Sequence, residues 1–162
     1  MESVELKGPG GAAATVYRHG AHVTSWATSD GVERLFVSEE AVFKPPKAIR
    51  GGIPVCFPQF GDLGPLGAQH GFARNSEWAV VPGSREEEGK VAMRLEPTAE
   101  QLELWPHQFA LTLTFSLTGD SLTIDLALEN TGSAPLTFTV ALVRVPPSQS
   151  TQISPPQQPV GG

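Results

Sequence analysis

The segment 109–130, "FALTLTFSLTGDSLTIDLALEN", constrains the fold more than any other part of the chain. Leu111, Leu113, Phe115 and Leu117 recur at every second position. After the turn "TGD" so do Leu122, Ile124, Leu126 and Leu128, with Thr123, Asp125 and Glu129 among the residues between them. A period of two sends alternate side chains to opposite faces of a pleated strand, so residues 109–129 are predicted to form a β-hairpin. Further strands are predicted at Ala14–Tyr17, His22–Ala27, Arg34–Ser38, Trp78–Val81, Lys90–Leu95 and Leu136–Leu142. Short strands punctuated by Gly, Pro, Asn and Asp give an all-β chain, a sandwich or a barrel. One short helix is predicted in "TAEQLELW", where Thr98 caps, Gln101 holds the reciprocal capping position and Pro106 stops the helix.

The length of 162 residues allows one domain. With 40 % hydrophobic and 17 % charged residues, the chain is neither charge-rich disordered nor membrane-embedded, and no apolar run has the length of a membrane span. The start "MESVELKGPGG" lacks the basic and apolar stretches of a secretory signal. Cys56 is the single cysteine, which excludes an internal disulfide and a thiolate metal cluster. These features lead us to expect a cytoplasmic protein. A net charge of −6 argues against nucleic-acid and anionic-membrane partners.

The charge is unevenly spread. Lys44, Lys47, Arg50 and Arg74 face a single acid, Asp62, between positions 44 and 74, whereas the rest of the chain has seven basic and sixteen acidic residues. The same region, 44–76, is a long Gly- and Pro-rich connection. Its apolar residues Ile49, Ile53, Val55, Phe57, Phe60 and Phe72 predict an ordered loop that builds a site. Arg50 and Arg74 offer forked, permanently charged donors suited to phosphate or carboxylate, and the His70 imidazole can transfer a proton or hydrogen-bond a sugar oxygen. From the residues alone, two surface ion-pair arginines and a hydrogen-bonded loop histidine are the more common outcome.

Other groups carry weaker signals. His19 and His22 in "RHGAH" have a spacing compatible with a metal, but no paired acids or further cysteines support one, and a structural role is expected. Cys56, between Val55 and Phe57, reads as buried and inert. Trp26, Trp78 and Trp105 stack on sugars or fill the core, with the core expected.

The motifs "GAHVTSW", "LFVS", "KAIRGGIPVCFPQFG", "QHGFARN" and "LTFTVAL", in this order, resemble the N-terminal half of glucose-6-phosphate 1-epimerases. These are hexose-6-phosphate mutarotases related to aldose 1-epimerase, and they include the plant apospory-associated protein C group. The resemblance covers about Val4 to Leu142. It implies a galactose mutarotase-like β-sandwich, a hexose 6-phosphate substrate, and no metal or organic cofactor. Carried over by motif, Arg50, Gln69, His70 and Arg74 line the substrate cleft. The arginines serve the phosphate, His70 orients and assists, and Phe57 and Phe60 wall the cleft. The implied chemistry is anomer interconversion: a carboxylate takes the proton of the anomeric hydroxyl, an imidazolium protonates the ring oxygen, and the opened ring recloses as the other anomer.

The chain departs from this pattern after Leu142. The family continues with a histidine, the general acid, in a His-Thr-Tyr-Phe-like run, and supplies a glutamate base much later. Here Val143, Arg144 and Val145 follow, and then the Pro/Gln-rich "PPSQSTQISPPQQPVGG". The expectation is a sandwich truncated to its N-terminal half over residues 1–145, as in a truncated or alternatively spliced product, with a disordered tail over 146–162. Such a half leaves open sheet edges and an uncovered apolar face. Turnover is then lost or strongly reduced. The alternatives are a non-catalytic sugar-phosphate or carbohydrate-binding module and a non-functional isoform.

Overall fold

A computed structural model describes residues 1–147; the expected tail lies outside them from position 148 onward. Strands β1 (Ser3–Lys7), β2 (Ala13–Tyr17) and β3 (His22–Ala27) form an antiparallel sheet in that order. β4 (Val55–Cys56) follows the first part of the long loop, and β5 (Ala79–Val80), β6 (Lys90–Leu95), helix α1 (Ala99–Leu104), β7 (Phe109–Leu117) and β8 (Leu122–Asn130) come after it. β9 (Ala141–Leu142) returns to pair with β4. The strands β5-β6-β7-β8 make a four-stranded antiparallel sheet.

Alternation decides what each sheet buries. Val4, Leu6, Ala14, Val16 and Val23 from the first sheet and Val91, Met93, Leu95, Leu111, Leu113 and Phe115 from the second all join one apolar cluster. The predicted hairpin pairs in register from Phe109 opposite Asn130 to Leu117 opposite Leu122. Helix α1 carries the predicted capping box: Thr98 Oγ1 accepts from the Gln101 N–H, and the Gln101 carboxamide accepts from the Thr98 N–H.

Three predicted strands are shortened, Trp78–Val81 to the two residues of β5. At Arg34–Ser38 only isolated bridges form, Ala27 opposite Glu33 and Val37 opposite Gly51. The reason is Glu33, whose carboxylate accepts the N–H groups of Trp26, Arg34 and Leu35 and so replaces a ladder. From Leu136–Leu142 only β9 is a strand, although Thr139 N–H still reaches the Pro58 carbonyl.

The hairpin's outer strand shows the expected open face. Among the described residues β8 has no neighbour beyond β7, and Leu122, Ile124, Leu126 and Leu128 are only half-buried. Phe138, Val140 and Leu142, at alternate positions along the return through β9, are exposed. No helix among the described residues is long and apolar enough to cross a membrane.

Phe57 corrects an expectation. It does not wall a cleft but is fully buried, with the rings of Phe72, Trp105, Phe109 and Phe138 packed 5.1 to 6.5 Å from its own. Trp78 and Trp105 are buried as expected, and Cys56 lies in the core with burial raising its thiol pKa. Removing the Phe57 ring leaves a cavity in this aromatic cluster. Phe57→Ala is expected to lower unfolding stability by about 3–5 kcal/mol, and the exposed Phe60→Ala by less than about 1 kcal/mol, in urea titrations. Equal effects would contradict the burial assignment.

Candidate functional site

Between β3 and β5 the chain has a single two-residue strand, so most of the loop's backbone finds its partners elsewhere. Ile49, Ile53 and Val55 are buried and anchor its first half to the core. Gly51 and Gly52 both lie at positive φ, 108° and 61°. At Gly52 a side chain would run into the Val23 carbonyl, so glycine lets the loop press against β3. The Gly52 N–H donates to the Phe36 carbonyl, and the Ile53 N–H to the Val23 carbonyl. The second half ends in a short 3-10 turn at Ala73–Asn75, held by Phe72 and Ala73 N–H bonds to the Phe57 carbonyl.

These two halves enclose a cavity of about 720 Å³ lined by Glu40, Val42, Lys47, Ala48, Ile49, Arg50, Gly51, Pro54, Arg74 and Asn75. Arg50 and Arg74, 24 positions apart in sequence, thus share one cavity. Three cations and one carboxylate leave its lining with two net positive charges. Among the described residues, Lys44, Lys47, Arg50 and Arg74 make no ion pair, whereas Arg18, Arg34, Lys90 and Arg94 each have an acidic partner. Three of the cations without an ion pair, Lys47, Arg50 and Arg74, line the cavity; Lys7, Arg85 and Arg144 also have no ion pair among the described residues and lie elsewhere.

Of the other predicted site residues, Gln69 is exposed, and its backbone carbonyl accepts from Arg74 Nη2 at 3.1 Å. His70 does not line this cavity. Its Nδ1 accepts the Gly61 N–H at 2.9 Å, leaving Nε2 to carry the ring proton, and its ring lies 5.3 Å from Phe60. His70 adopts φ 69°, a left-handed backbone for a residue with a side chain, stabilised by its own N–H bond to the Gly61 carbonyl.

The residues behind the cavity carried only a weak metal-like spacing in the sequence, with a structural role expected. His19 and His22 are both buried, and their Nε2 atoms lie 3.0 Å from the Lys47 carbonyl and 2.6 Å from the Gly51 carbonyl. Each Nε2 therefore carries the proton and donates. His22 is pushed down from 6.5 to about 4, chiefly by burial and further by the charges of His19 and Arg74, against the raising effect of the Gly51 bond. Among the described residues no third His, Cys, Asp or Glu completes a metal cluster with this pair.

The family described as Aldose 1-epimerase matches residues 2–142. A protein of Cenchrus ciliaris named "Putative glucose-6-phosphate 1-epimerase" is 44 % identical over 150 residues, 87 % of this chain and 45 % of that protein. A solved structure described as a "putative mutarotase" from Salmonella typhimurium superposes with a TM-score of 0.66 at 31 % identity, over 78 % of this chain and 43 % of the other. A galactose mutarotase-like protein from Lactobacillus casei superposes with a TM-score of 0.71 at 22 % identity, over 86 % and 48 %, and so shares the fold. The fold is galactose mutarotase-like, and the chain spans about half the length of these proteins.

The neutral His22 makes stability depend on pH. The unfolded chain protonates His22 near 6.5 and the folded chain only near 4, so stability is intact above that window and falls as the pH drops through it. The loss reaches about 3 kcal/mol. Urea unfolding of the native chain and of His22→Gln is expected to run in parallel above pH 6.5 and to diverge below, the native chain weakening more. Parallel curves down to pH 4 would contradict a neutral buried imidazole.

Proposed function

The chain belongs to the aldose 1-epimerase family, and on that premise we propose that its cavity binds the phosphate of a hexose 6-phosphate, the sugar whose anomers a glucose-6-phosphate 1-epimerase interconverts. The observation that carries this reading is the convergence of unpaired Lys47, Arg50 and Arg74 on one cavity. A dianionic ester matches a lining with two net positive charges. Guanidinium forks give it charge-assisted, directional hydrogen bonds. In this reading Gln69 and His70, joined to the same loop, face the sugar, with His70 Nε2–H as a donor to a sugar oxygen and the exposed Phe60 beside it.

The proposed reaction is proton transfer at two oxygens: the anomeric hydroxyl gives up its proton while the ring oxygen receives one, the C1–O5 bond opens, and reclosure on the other face inverts C1. In this reading binding and turnover separate in this chain. Where the resemblance expects an acidic imidazole after Leu142, Val143 carries no ionisable group, and the Arg144 guanidinium lies 5.5 Å from the Trp26 ring and donates to the Arg34 carbonyl. Val145 is bonded through its backbone to Phe36 and Gly52. None of these three supplies a proton near neutral pH. We therefore assign this chain sugar-phosphate binding, with anomerisation by it alone slower than by a relative that has the imidazole.

Calorimetric titration tests the binding claim. Glucose 6-phosphate is expected to bind saturably and more tightly than glucose, and Arg50→Ala or Arg74→Ala to weaken it by about tenfold or more. Equal affinity for both sugars, or unchanged affinity in both variants, would sink the phosphate assignment. Polarimetry on fresh α-glucose 6-phosphate tests the second claim: the chain is expected to fall short of such a relative by about 10²- to 10⁴-fold. Comparable rates would refute it.

A further inference from the structure

The turn "RHGAH", Arg18–His22, lies behind the cavity and touches both arginine-bearing segments. On one side His19 and His22 donate to the carbonyls of Lys47 and Gly51, which bracket Arg50. On the other, the Gly20 N–H donates to the Ser76 carbonyl at 2.7 Å, and a side chain at Gly20 would come within 2.7 Å of the Arg74 carbonyl. We infer that His19 and His22 are positioning residues and that this turn is the spacer setting the separation of the Arg50 and Arg74 guanidinium groups. The affinity part of this inference rests on the phosphate reading above; the structural part stands without it.

The geometry supports a fixture rather than generic core filling. A buried apolar side chain would fill the same space but leave two part-buried carbonyls without these donors, which is costly to the extent that water cannot replace them. Gly20, at φ 82°, admits no side chain without strain. The Arg50 carbonyl is held as well, by the Ser38 N–H at 3.0 Å, so three carbonyls between Lys47 and Gly51 are fixed. Arg50 therefore projects from a backbone that cannot drift. The turn continues into Arg74's segment through the Trp78 N–H, which donates to the Arg18 carbonyl at 2.9 Å.

A further detail ties the two sides together. His22 Nδ1 and Arg74 Nε are both buried and without a hydrogen-bond partner among the described residues. One is an acceptor and the other a donor, and the Arg74 charge is felt at His22. Both orphaned atoms lie in segments that the turn joins. Spacing two guanidinium groups to a few tenths of an ångström matters because forked hydrogen bonds to one phosphate weaken steeply as distances and angles depart from their optimum.

The test compares four variants by two readouts. His22→Leu and His19→Leu remove the donor and keep bulk; His22→Gln keeps an N–H donor near the position of Nε2; Gly20→Ala leaves both imidazoles intact and pushes on the Arg74 carbonyl. Titration with inorganic phosphate and glucose 6-phosphate is expected to show about tenfold weaker binding for the Leu and Ala variants, with His22→Gln within about threefold of the native chain. Hydrogen exchange is expected to accelerate at the Ser38 and Gly52 amides in both Leu variants and to stay near native in His22→Gln. Native phosphate affinity in folded His22→Leu and Gly20→Ala would overturn the positioning role. If the native chain binds no phosphate, the functional reading fails instead, and exchange alone decides: unchanged protection in the Leu variants would overturn the fixture. Should His22→Leu not fold, His19→Leu and Gly20→Ala carry the same two readouts.

Discussion

A carbonyl buried away from water must find a donor, and the long connection between β3 and β5 is built around that requirement. It has almost no ladder of its own, so side chains, from β3 and the turn before it and from the connection itself, supply the missing partners. His19 and His22 serve its first half. Gln59, fully buried, gives its amide N–H groups to the carbonyls of Gly61, Leu66 and Ala68 and accepts from the Leu66 N–H. Trp78 Nε1 serves Ala73. Each bond contributes only about 1 kcal/mol net, but leaving its buried partner unmade costs about 1–3 kcal/mol. The alternatives to this loop conformation are therefore expensive, and a Gly- and Pro-rich segment is held as firmly as a strand.

Within this anchored loop Lys47, Arg50 and Arg74 stand without an ion-pair partner. A flexible loop would let Lys47 or Arg50 swing to one of the chain's many carboxylates, as Arg18, Arg34, Lys90 and Arg94 do. A backbone fixed at Lys47, Arg50 and Gly51 holds the guanidinium on the cavity side, where Glu40 is the single lining acid. In a chain of net charge −6 such an island attracts an anion locally while the rest of the surface repels it. Salt screens this attraction over about 8–10 Å, so the selectivity lies in contact geometry rather than in long-range field.

The parts of the fold set by local chemistry could be read from the sequence. His22–Ala27 and Lys90–Leu95 have the expected bounds, the 109–129 hairpin extends by one residue, and the Thr98/Gln101 box caps the helix. What could not be read depends on distant partners. Glu33 satisfies three N–H groups where alternation suggested a strand, and β1 was missed because "SVELK" has only Val4 and Leu6 to mark its face. Phe57 reads as a loop aromatic, yet four rings from other elements enclose it. Charge made the arginines visible. The imidazoles behind them left no signature of this role, because a backbone carbonyl accepts a hydrogen bond whatever residue carries it.

The same division separates holding a sugar phosphate from reacting it. Phosphate contacts at C6 act on a group that does not change during anomerisation, so they stabilise ground state and transition state alike unless their binding energy orients C1 and O5 against an acid and a base. The proposed anion contacts belong to the loop before β5, whereas the segment after β9 is where the resemblance expects the acid. In this chain that segment is committed to structure: Arg144 over Trp26, and Val145 closing the gap between Phe36 and Gly52. Its backbone bond to Gly52 adds a further tie to the Arg50 loop, next to the Gly51 carbonyl that His22 holds. Residues that stand where proton transfer is expected thus reinforce the binding half, which is why affinity and turnover can part company within one fold.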